Sequence, residues 1–497
     1  MELGFVSAAT LLQVLGAVPL DGRPVRFGMP VPAAIVRRGL GLDGQGVLQW
    51  RRLPIGGADP DPVWIEVALL GPPGRVRLLP GDLGPCADGR GPAFVYERTQ
   101  QVGVDGPSSL ERWRWADGTV DERRRERVDL GAVIAGERYL PGEWRCTQSG
   151  LWQRARVVVD LPGFGERVGL LPHRGAGAVP RRVRRQLEVA AAALPELPGA
   201  RGAGDHGRSG GVVTNNEFDT TLALAKAALG LGDADCWQRA CRAARHLLDH
   251  DLDERLGLPF PHGPEHRTGE PEVGHAWLQG LLWVGLLTAD DDCIGAARSI
   301  GRAIAASPPR GTGSNERLRE HAWPLLELEA LLRHDPDPGL RRVADAYAAS
   351  IVRRFDPVLT TFRFGEGEVG DGVYLERAWL TCGLLLPALT AHLQRCPDAA
   401  LAAKVAAVQA AFAERLGRGG PGLPTHWRCA GGEPFAEHRE VGSASAAAML
   451  DGLTRNDQRR LLSRLLVQRA VLDTPPLDDA DLATSFTLLA RCDWVWR

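Results

Sequence analysis

The distribution of hydrophobic and polar positions divides the chain into two parts. Before about residue 180, short runs in which apolar and polar residues alternate, such as Val63–Leu70, are separated by Gly-Pro and Asp-Gly pairs. Alternation with a period of two predicts half-buried strands, and many short strands separated by turns predict a β-sandwich or barrel. The first predicted domain is therefore a β-rich unit over residues 1–180.

After residue 180 the pattern becomes helical. Twelve helical segments are predicted, and from the second one onwards every second segment is the more apolar. A helix that is apolar all round is buried on all sides, and an amphipathic, Arg-rich partner covers it from outside. Six such hairpins over residues 181–497 predict an (α/α)6 toroid, so the fold class is α+β multidomain. The predicted inner helices begin near residues 217, 275, 316, 374, 443 and 481.

The connections between these helices predict which end of the toroid is functional. Those that leave the apolar helices are short, whereas long ones enter them at 195–216, 251–274, 355–373 and 417–442. Loops longer than about 12–15 residues are usually functional or disordered. Four of them at the N-terminal ends of the inner helices, where helix dipoles favour anions, predict the active site at that face.

The predicted face carries residues of the kinds that bind carbohydrate. A short pattern repeats at three helix starts, as His275-Ala-Trp277, His321-Ala-Trp323 and Arg377-Ala-Trp379. Indole rings stack on sugar C–H surfaces, and charged side chains bond hydroxyls and transfer protons. The candidate substrate-binding residues are Asn216, Glu217, Asp219, Arg267, Trp277, Arg319, His321, Glu376 and Arg377.

Simpler structural roles remain open for most of these residues. Asn216, Glu217 and Asp219 equally suit a helix cap, the tryptophans equally suit the core, and His321 equally suits a structural role. The spacing of His262 and His266 suggests a metal pair, but Gly263 and Pro264 between them prevent a helical arrangement. We therefore expect no metal and no other cofactor.

Composition and charge exclude several classes of function. A net charge of −2 gives no electrostatic basis for binding nucleic acid or an anionic membrane. Nine scattered cysteines without a CxxC pair indicate reduced thiols, and no apolar run is long enough to span a bilayer. Glu2 stands where a signal peptide would carry Lys or Arg, which favours a cytoplasmic location, with secretion as the alternative.

Two charged runs receive structural interpretations. Glu122–Arg127, reading ERRRER, is predicted to be a solvated strand or loop face. Asp290–Asp292 is predicted to end one helix at the short-loop end of the toroid and to cap the next.

Residues 215–290 resemble a known family. The segments NNEFDTTLALAKAALGLGD, RHLLDHDLDE, PHGPEH and GHAWLQGLLWVGLLTADD occur in the order seen in the exo-rhamnogalacturonan lyase (YetA-like) family, which has an (α/α)6 toroid. The N-terminal VRFGMPVPAAIV resembles the opening of its β-domain. The chain departs from the family where Ala289 replaces the Gly of a Thr-Gly-Asp turn. The β-domain is accordingly expected to pack beside the ring and to narrow the cleft.

The resemblance implies β-elimination on an acidic, uronate-containing glycan. This reaction needs a cation for the C5 carboxylate, a base for the C5 proton and an acid for the leaving oxygen. The resemblance suggests Arg267, Arg319 or Arg377 as the cation. It suggests His262, His266 or His275 as the base, and Tyr374 as acid or base.

Two alternatives to the lyase stay open. A glycoside hydrolase would use two carboxyl groups across the cleft, such as Glu217 or Asp219 with Asp371 or Glu376, about 5–9.5 Å apart. A non-catalytic carbohydrate-binding relative would keep the ring without the chemistry.

Overall fold

The structure of the protein is a computed structural model. It describes residues 13–15, 25–43, 46–56, 62–70, 77–86, 91–103, 106–128, 132–134, 137–139, 143–149, 158–160, 205–207, 213–214, 216, 218–231, 234–263, 269–307, 309, 317–368, 373–417, 423–430, 433–440, 450–454, 456–458, 461, 490 and 492.

The N-terminal part is built from short antiparallel strands, as predicted, with one short helix, α1 (Ala33–Arg38). The described strands of this part are β1 Gln13–Leu15, β2 Val25–Val31, β3 Leu40–Asp43, β4 Val47–Arg52, β5 Val63–Leu70, β6 Arg77–Pro80, β7 Phe94–Gly103, β8 Gly106–Trp115, β9 Val120–Val128, β10 Ala132–Ile134, β11 Glu137–Tyr139, β12 Glu143–Ser149 and β13 Val158–Asp160. The two larger sheets have the orders β2-β5-β4 and β12-β9-β8-β7.

The two larger sheets pack against each other through a small apolar cluster. Ala68 of β5 contacts Phe94, Trp113 and Trp115 of the second sheet. The side chain of Gln49 accepts a hydrogen bond from the backbone N–H of Phe94 at 2.9 Å, which joins the sheets at a buried point. Strand β5 is buried on both faces rather than on one as predicted, because the helical part covers its other side.

Four of the six predicted helical hairpins lie among the described residues. The helices are α2 Thr220–Leu231, α3 Ala234–His246, α4 Gln279–Thr288, α5 Asp291–Ala306, α6 Arg319–Leu332, α7 Pro338–Val352, α8 (Ala378–Leu380, a π turn Thr381–Leu385, and Leu386–Arg395) and α9 Ala399–Gly417. The inner helices α2, α4, α6 and α8 pack side by side in chain order, and each is followed by an outer helix that packs against it. The alternation of inner and outer helices is therefore confirmed over these four hairpins.

The rest of the ring remains a prediction. The predicted helix near 183–194 and most of those near 443–454, 456–470 and 481–492 lie outside the described residues. The boundary between the domains 1–180 and 181–497 also falls outside them. Helix α4 is buried from Gly280 to Leu287 but has only 10 residues, and no described helix is long and apolar enough to cross a membrane.

All four described inner helices begin three or four residues later than predicted, at 220, 279, 319 and 378. Two of these late starts have a clear physical cause. Helix α4 starts at Gln279 rather than at residue 275, after a 3-10 turn at Val273–His275. The carboxylate of Glu327, from the neighbouring helix α6, accepts hydrogen bonds from the backbone N–H groups of Leu278 and Gln279 at 3.0 Å. This residue caps α4 from another helix, which no pattern local to α4 could indicate.

The second late start involves a strand. Residues predicted to open helix α8 form β21 (Tyr374–Arg377) instead, which pairs with β22 (Leu423–Ala430), and β22 pairs with β23 (Glu433–Glu440). The predicted loop 417–442 is therefore largely a hairpin. The other entering connections also carry short strands, which are β14 His206–Gly207, β15 Val213–Thr214, β16 Leu252–Asp253, β17 Leu258–Pro259, β18 His262–Gly263, β19 Phe355–Asp356 and β20 Thr361–Phe362.

The β-rich part contacts the short-loop end of the inner helices, and its strand β9 also reaches the connection that enters α4, where Arg127 lies 2.7 Å from Glu254. The expectation that the β-rich part narrows the cleft stays a prediction. Arg26 donates to the carbonyl of Ala289 at 2.9 Å, and Arg51 lies 2.9 Å from Asp291. The indole N–H of Trp64 donates to the imidazole of His334 at 3.1 Å. Carbonyls and carboxylates at the C-terminal ends of the inner helices attract the arginines of the strands.

Gly28 is the closest point of this docking, and we predict that Gly28→Ala destabilises the protein. A Cβ at Gly28 would lie 1.6 Å from the carbonyl oxygen of Leu286. A backbone atom cannot rotate away, so strand and helix must separate, at a cost of about 1–3 kcal/mol or more. Gly84→Ala is the matched control, because its Cβ would meet no atom within 4 Å. Equal urea midpoints for the two variants would contradict the docking.

Candidate active site

The candidate site lies where the turn before α4 meets the first turn of α6. Arg319 donates through Nε to the carbonyl of Gly274 at 3.3 Å. A Cβ placed on Gly274 would lie 3.5 Å from Cγ of Glu320, an ordinary van der Waals separation, so the two segments lie side by side. Both segments belong to the face at the N-terminal ends of the inner helices, where the sequence predicted the site.

Glu272 and His275 form a pair within the 3-10 turn. Oε1 of Glu272 lies 2.6 Å from Nδ1 of His275. The Glu272 carboxylate remains one-third exposed whereas His275 is buried behind it. The hydrogen bond to His275 holds the pKa of Glu272 below its ordinary value. The exposed carboxylate is thus ionised near neutral pH, and the histidine orients it.

Glu320 has the opposite electrostatic environment. Burial raises its pKa above the ordinary value, and the negative charges of Glu272 and Glu366 raise it further. Its carboxyl group is one-third exposed and lies 3.8 Å from the guanidinium of Arg317. Two neighbouring carboxyl groups whose pKa values move apart are the arrangement that assigns one as acid and the other as base.

Arginines surround these carboxyl groups. Arg317 is 53% exposed, and Arg377, which is 44% exposed, lies 3.9 Å from Glu366. Glu366 also accepts a hydrogen bond from the backbone N–H of Leu318 at 3.2 Å, so it ties the fourth helix start to the third. Together with Arg319, these cations can bind an anionic group beside the carboxyl pair.

Asn216 and Asp219 take the capping role that the sequence left open. The side chain of Asn216 accepts from the backbone N–H of Thr221 at 3.1 Å. Asp219 accepts from Leu222 N–H and, across to the next inner helix, from Gly280 N–H, both at 2.9 Å. Both residues are buried and have left-handed backbone conformations that suit a tight helix start. Both side chains are therefore committed to helix capping.

Tyr374 and Glu376 are engaged inside the fold. The Tyr374 hydroxyl accepts from the backbone N–H of Phe364 at 3.1 Å, and burial raises its pKa. The two carboxyl oxygens of Glu376 accept from the hydroxyls of Thr361 and Thr381 at 2.8 and 2.6 Å, and burial raises the pKa of this residue also. Neither side chain reaches the exposed face.

Trp277 and His321 belong to the core. Trp277 is 1% exposed and meets the ring of Trp323 edge-on, with centroids 4.4 Å apart. His321 is buried, its Nδ1 lies 3.3 Å from the carbonyl oxygen of Arg317, and burial lowers its pKa. Of the three tryptophans in the repeated pattern, Trp379 alone is partly exposed. It is therefore the candidate for stacking on a sugar.

Several predicted residues cannot be placed. The backbone of His262 lies in β18, opposite Thr214, but its side chain is outside the described part of the structure. The residues that lie outside the described part altogether are Glu217, His266, Arg267 and Asp371. Conversely, Glu272 and Glu366 were not predicted. The sequence did contain one signal for Glu272, which is its Glu-x-x-His spacing to His275.

Comparisons with known proteins place the chain beside several enzyme structures. No family model and no curated protein matches the chain. It is similar to the cellobiose 2-epimerase from Bacillus thermoamylovorans, at 13% identity and a TM-score of 0.47, over 57% of this chain and 85% of that one. It is also similar to a reducing end xylose-releasing exo-oligoxylanase, at 14% identity and a TM-score of 0.41, over 67% of this chain and 97% of that one. A third similar structure is a family 76 glycoside hydrolase from a bovine Bacteroides thetaiotaomicron strain, at 9% identity and a TM-score of 0.41, over 94% of this chain and 99% of that one.

Proposed function

We propose that the protein is a carbohydrate-active enzyme that cleaves uronate-containing glycans by β-elimination. The observation that carries the proposal is the pairing of Glu272 and Glu320, whose pKa values shift in opposite directions beside Arg319. The resemblance of residues 215–290 to exo-rhamnogalacturonan lyases supports the same reaction.

Each step of the elimination has a residue at this site. Arg319, with Arg317, binds the substrate carboxylate and stabilises the negative charge that develops when the C5 proton leaves. Glu272 accepts that proton, and His275 positions Glu272. Glu320 donates its proton to the leaving oxygen as the C4–O bond breaks and the C4–C5 double bond forms. His275 thus supports the base, whereas the resemblance suggested a histidine as the base itself.

Glycoside hydrolysis is the second candidate, and the same two carboxyl groups favour it. A group with a raised pKa can protonate a glycosidic oxygen while an ionised partner activates water or attacks the sugar. Of the pairs predicted from the sequence, Asp219 and Glu376 are buried in structural hydrogen bonds. Glu217 and Asp371, the other predicted partners, lie outside the described residues. Among the described residues, the hydrolytic pair would be Glu272 with Glu320.

One incubation separates these reactions. We expect rhamnogalacturonan oligomers to yield new reducing ends together with the absorbance of an unsaturated uronate. New ends without that absorbance would indicate hydrolysis. If neither new reducing ends nor the unsaturated-uronate absorbance forms, on acidic or on neutral oligosaccharides, the non-catalytic alternative is supported and the proposal is overturned.

A further inference from the structure

A second cluster of chemically active groups lies apart from the Glu272–Glu320 pair. Asp205, His246 and Asp251 are buried, and both aspartates have no solvent exposure. Nε2 of His246 lies 3.3 Å from Oδ2 of Asp205 and 3.6 Å from Oδ2 of Asp251. One side-chain ligand atom from each of the three residues lies within 4.8 Å of the others.

These separations suit a shared metal ion. Nε2 of His246 and Oδ2 of Asp205 are within reach of a long hydrogen bond at 3.3 Å, whereas the 3.6 Å between Nε2 of His246 and Oδ2 of Asp251 exceeds hydrogen-bonding distance. Two ligands bound at about 2.0–2.2 Å in tetrahedral geometry lie about 3.3–3.5 Å from each other. The separations between the carboxylate oxygens of the two aspartates and Nε2 of His246 are therefore close to those between two ligand atoms of one metal ion.

The local helix geometry creates this cluster. Outer helix α3 ends in a π turn, Leu247–Asp251. In an α-helix, residues five apart point about 140° away from each other, so His246 and Asp251 would diverge. The wider π turn returns Asp251 to the side of His246, and π turns occur frequently at functional sites. The ring of His250 stacks on that of His246, with centroids 4.6 Å apart, and fixes its plane.

We propose that Asp205, His246 and Asp251 bind a divalent metal ion of the zinc or manganese class. A mixed set of carboxylates and one imidazole suits these ions, whereas calcium and magnesium take oxygen ligands. The sequence predicted no metal because it offered only the pair His262 and His266. The new group joins residues 41 positions apart along the chain.

The proposed ion has a structural role at the open face. Asp205 also accepts a hydrogen bond from the backbone N–H of Asn216 at 3.1 Å. The strand β14 that follows Asp205 pairs with β15, and β15 pairs with the strand that carries His262. Metal binding would therefore fasten the connection before α2 to the end of α3.

The experiment is a metal titration of the full chain after purification with a chelator. Zinc chloride and manganese chloride are each added alone, and bound metal per chain and Tm are measured after gel filtration. We expect about one zinc or manganese ion per chain and a Tm that rises with metal concentration. Asp251→Asn and His246→Gln should weaken binding at least about tenfold. Asp253→Asn should not, because that side chain caps an exposed turn at Leu256.

Two results would overturn the proposal. The first is that the wild-type chain retains neither ion and its Tm does not change with added metal. This test does not depend on the folding of any variant. The second is unchanged affinity in both Asp251→Asn and His246→Gln. Because neither readout depends on turnover, the metal site can fail while the proposed reaction stands, and the reverse also holds.

Discussion

Replacing Glu320 with Gln should lower kcat on the proposed substrate by about 10²–10⁴-fold, the usual contribution of a general acid or base. Gln keeps the shape and hydrogen-bonding capacity of the side chain but has no proton to transfer. The fold should not suffer. Burial and the charges of Glu272 and Glu366 raise the pKa of Glu320 in the folded state, so its ionised form opposes folding.

The sign of that stability effect can be tested. A carboxyl group whose folded pKa lies above its unfolded value makes the folded state less stable as pH rises through this interval. Removing the ionisable group removes that penalty. The Tm of Glu320→Gln should therefore equal that of the wild type at low pH and reach or exceed it at neutral pH.

The control for this variant is the same change at an exposed carboxylate. Glu97 lies on strand β7 and is 48% exposed, with Arg114 at 3.7 Å as its neighbour. Glu97→Gln should leave kcat and Tm unchanged. Full turnover in Glu320→Gln would remove Glu320 from the mechanism, and a matched loss of Tm and activity would assign it a structural role.

The pH profile of kcat/KM should have two limbs that belong to these two carboxyl groups. The base Glu272 has a lowered pKa, so activity should fall on the acidic side below the ordinary glutamate value of about 4.3. The acid Glu320 has a raised pKa, so the basic limb should lie above that value. A profile with neither limb near these positions would separate the reaction from this pair.

The sequence predicted the helical architecture well where the signal is local. Apolar residues around all sides of a segment indicate an inner helix regardless of what packs on it, and the alternation with amphipathic partners holds over α2 to α9. It predicted helix starts poorly where the cap comes from elsewhere. Glu327 of α6 caps α4, and a strand 46 or more residues later converts Tyr374–Arg377 from helix to sheet.

The proposed site lies at the face that the sequence predicted, but it assigns the roles to different residues. Carboxylates, histidines and arginines do gather at the inner-helix starts. Asp219, Glu376 and Tyr374 prove to be occupied by backbone or hydroxyl partners, and such partners cannot be read from residue type. Glu272 and Glu320 emerge only when the turn at residue 274 is placed against α6.

The charged run of β9 shows the same limit. Alternate residues of a strand face opposite sides, so Arg123, Arg125 and Arg127 share one face. The run was predicted to be solvated, yet this face covers the helical part. Arg125 lies 3.0 Å from Asp249 and Arg127 lies 2.7 Å from Glu254. The sequence of β9 alone does not tell which of its faces another unit will cover.

Arg123 is the centre of that contact, and Arg123→Leu should destabilise the protein by about 3–5 kcal/mol, the cost of breaking a buried ion pair. Its guanidinium is 3% exposed and lies 2.5 Å from Asp290 and 3.2 Å from Asp292. It also pairs with the buried Glu111. Without Arg123, less positive charge balances these buried carboxylates, and a leucine side chain supplies only apolar contacts.

Asp290 makes the destabilisation caused by Arg123→Leu dependent on pH. It caps α5, as predicted, by accepting from the backbone N–H groups of Asp292 and Cys293. Burial alone would raise the pKa of Asp290, but Arg123 and Arg245 outweigh it and hold the pKa well below the usual range. A lowered carboxyl pKa stabilises the fold above the unfolded value of about 3.9 and loses that stabilisation as pH falls below it. The deficit of Arg123→Leu should accordingly be large at pH 7 and shrink under acid.

Arg124→Leu is the matched control, because Arg124 is the next residue on the same strand but faces solvent. Its side chain is 61% exposed and pairs at 3.0 Å with Glu126, where solvent screens the interaction. That variant should change the free energy of unfolding by less than about 0.5 kcal/mol. Urea midpoints at pH 7 and at about pH 3, below the unfolded carboxyl pKa, for both variants, with Asp290→Asn added to each, measure the coupling directly. If Arg123 acts through Asp290, the double variant Arg123→Leu/Asp290→Asn should lose less stability than the two single losses combined. Equal midpoints for Arg123→Leu and Arg124→Leu would show that the β-rich part is held to the helices by its apolar contacts alone.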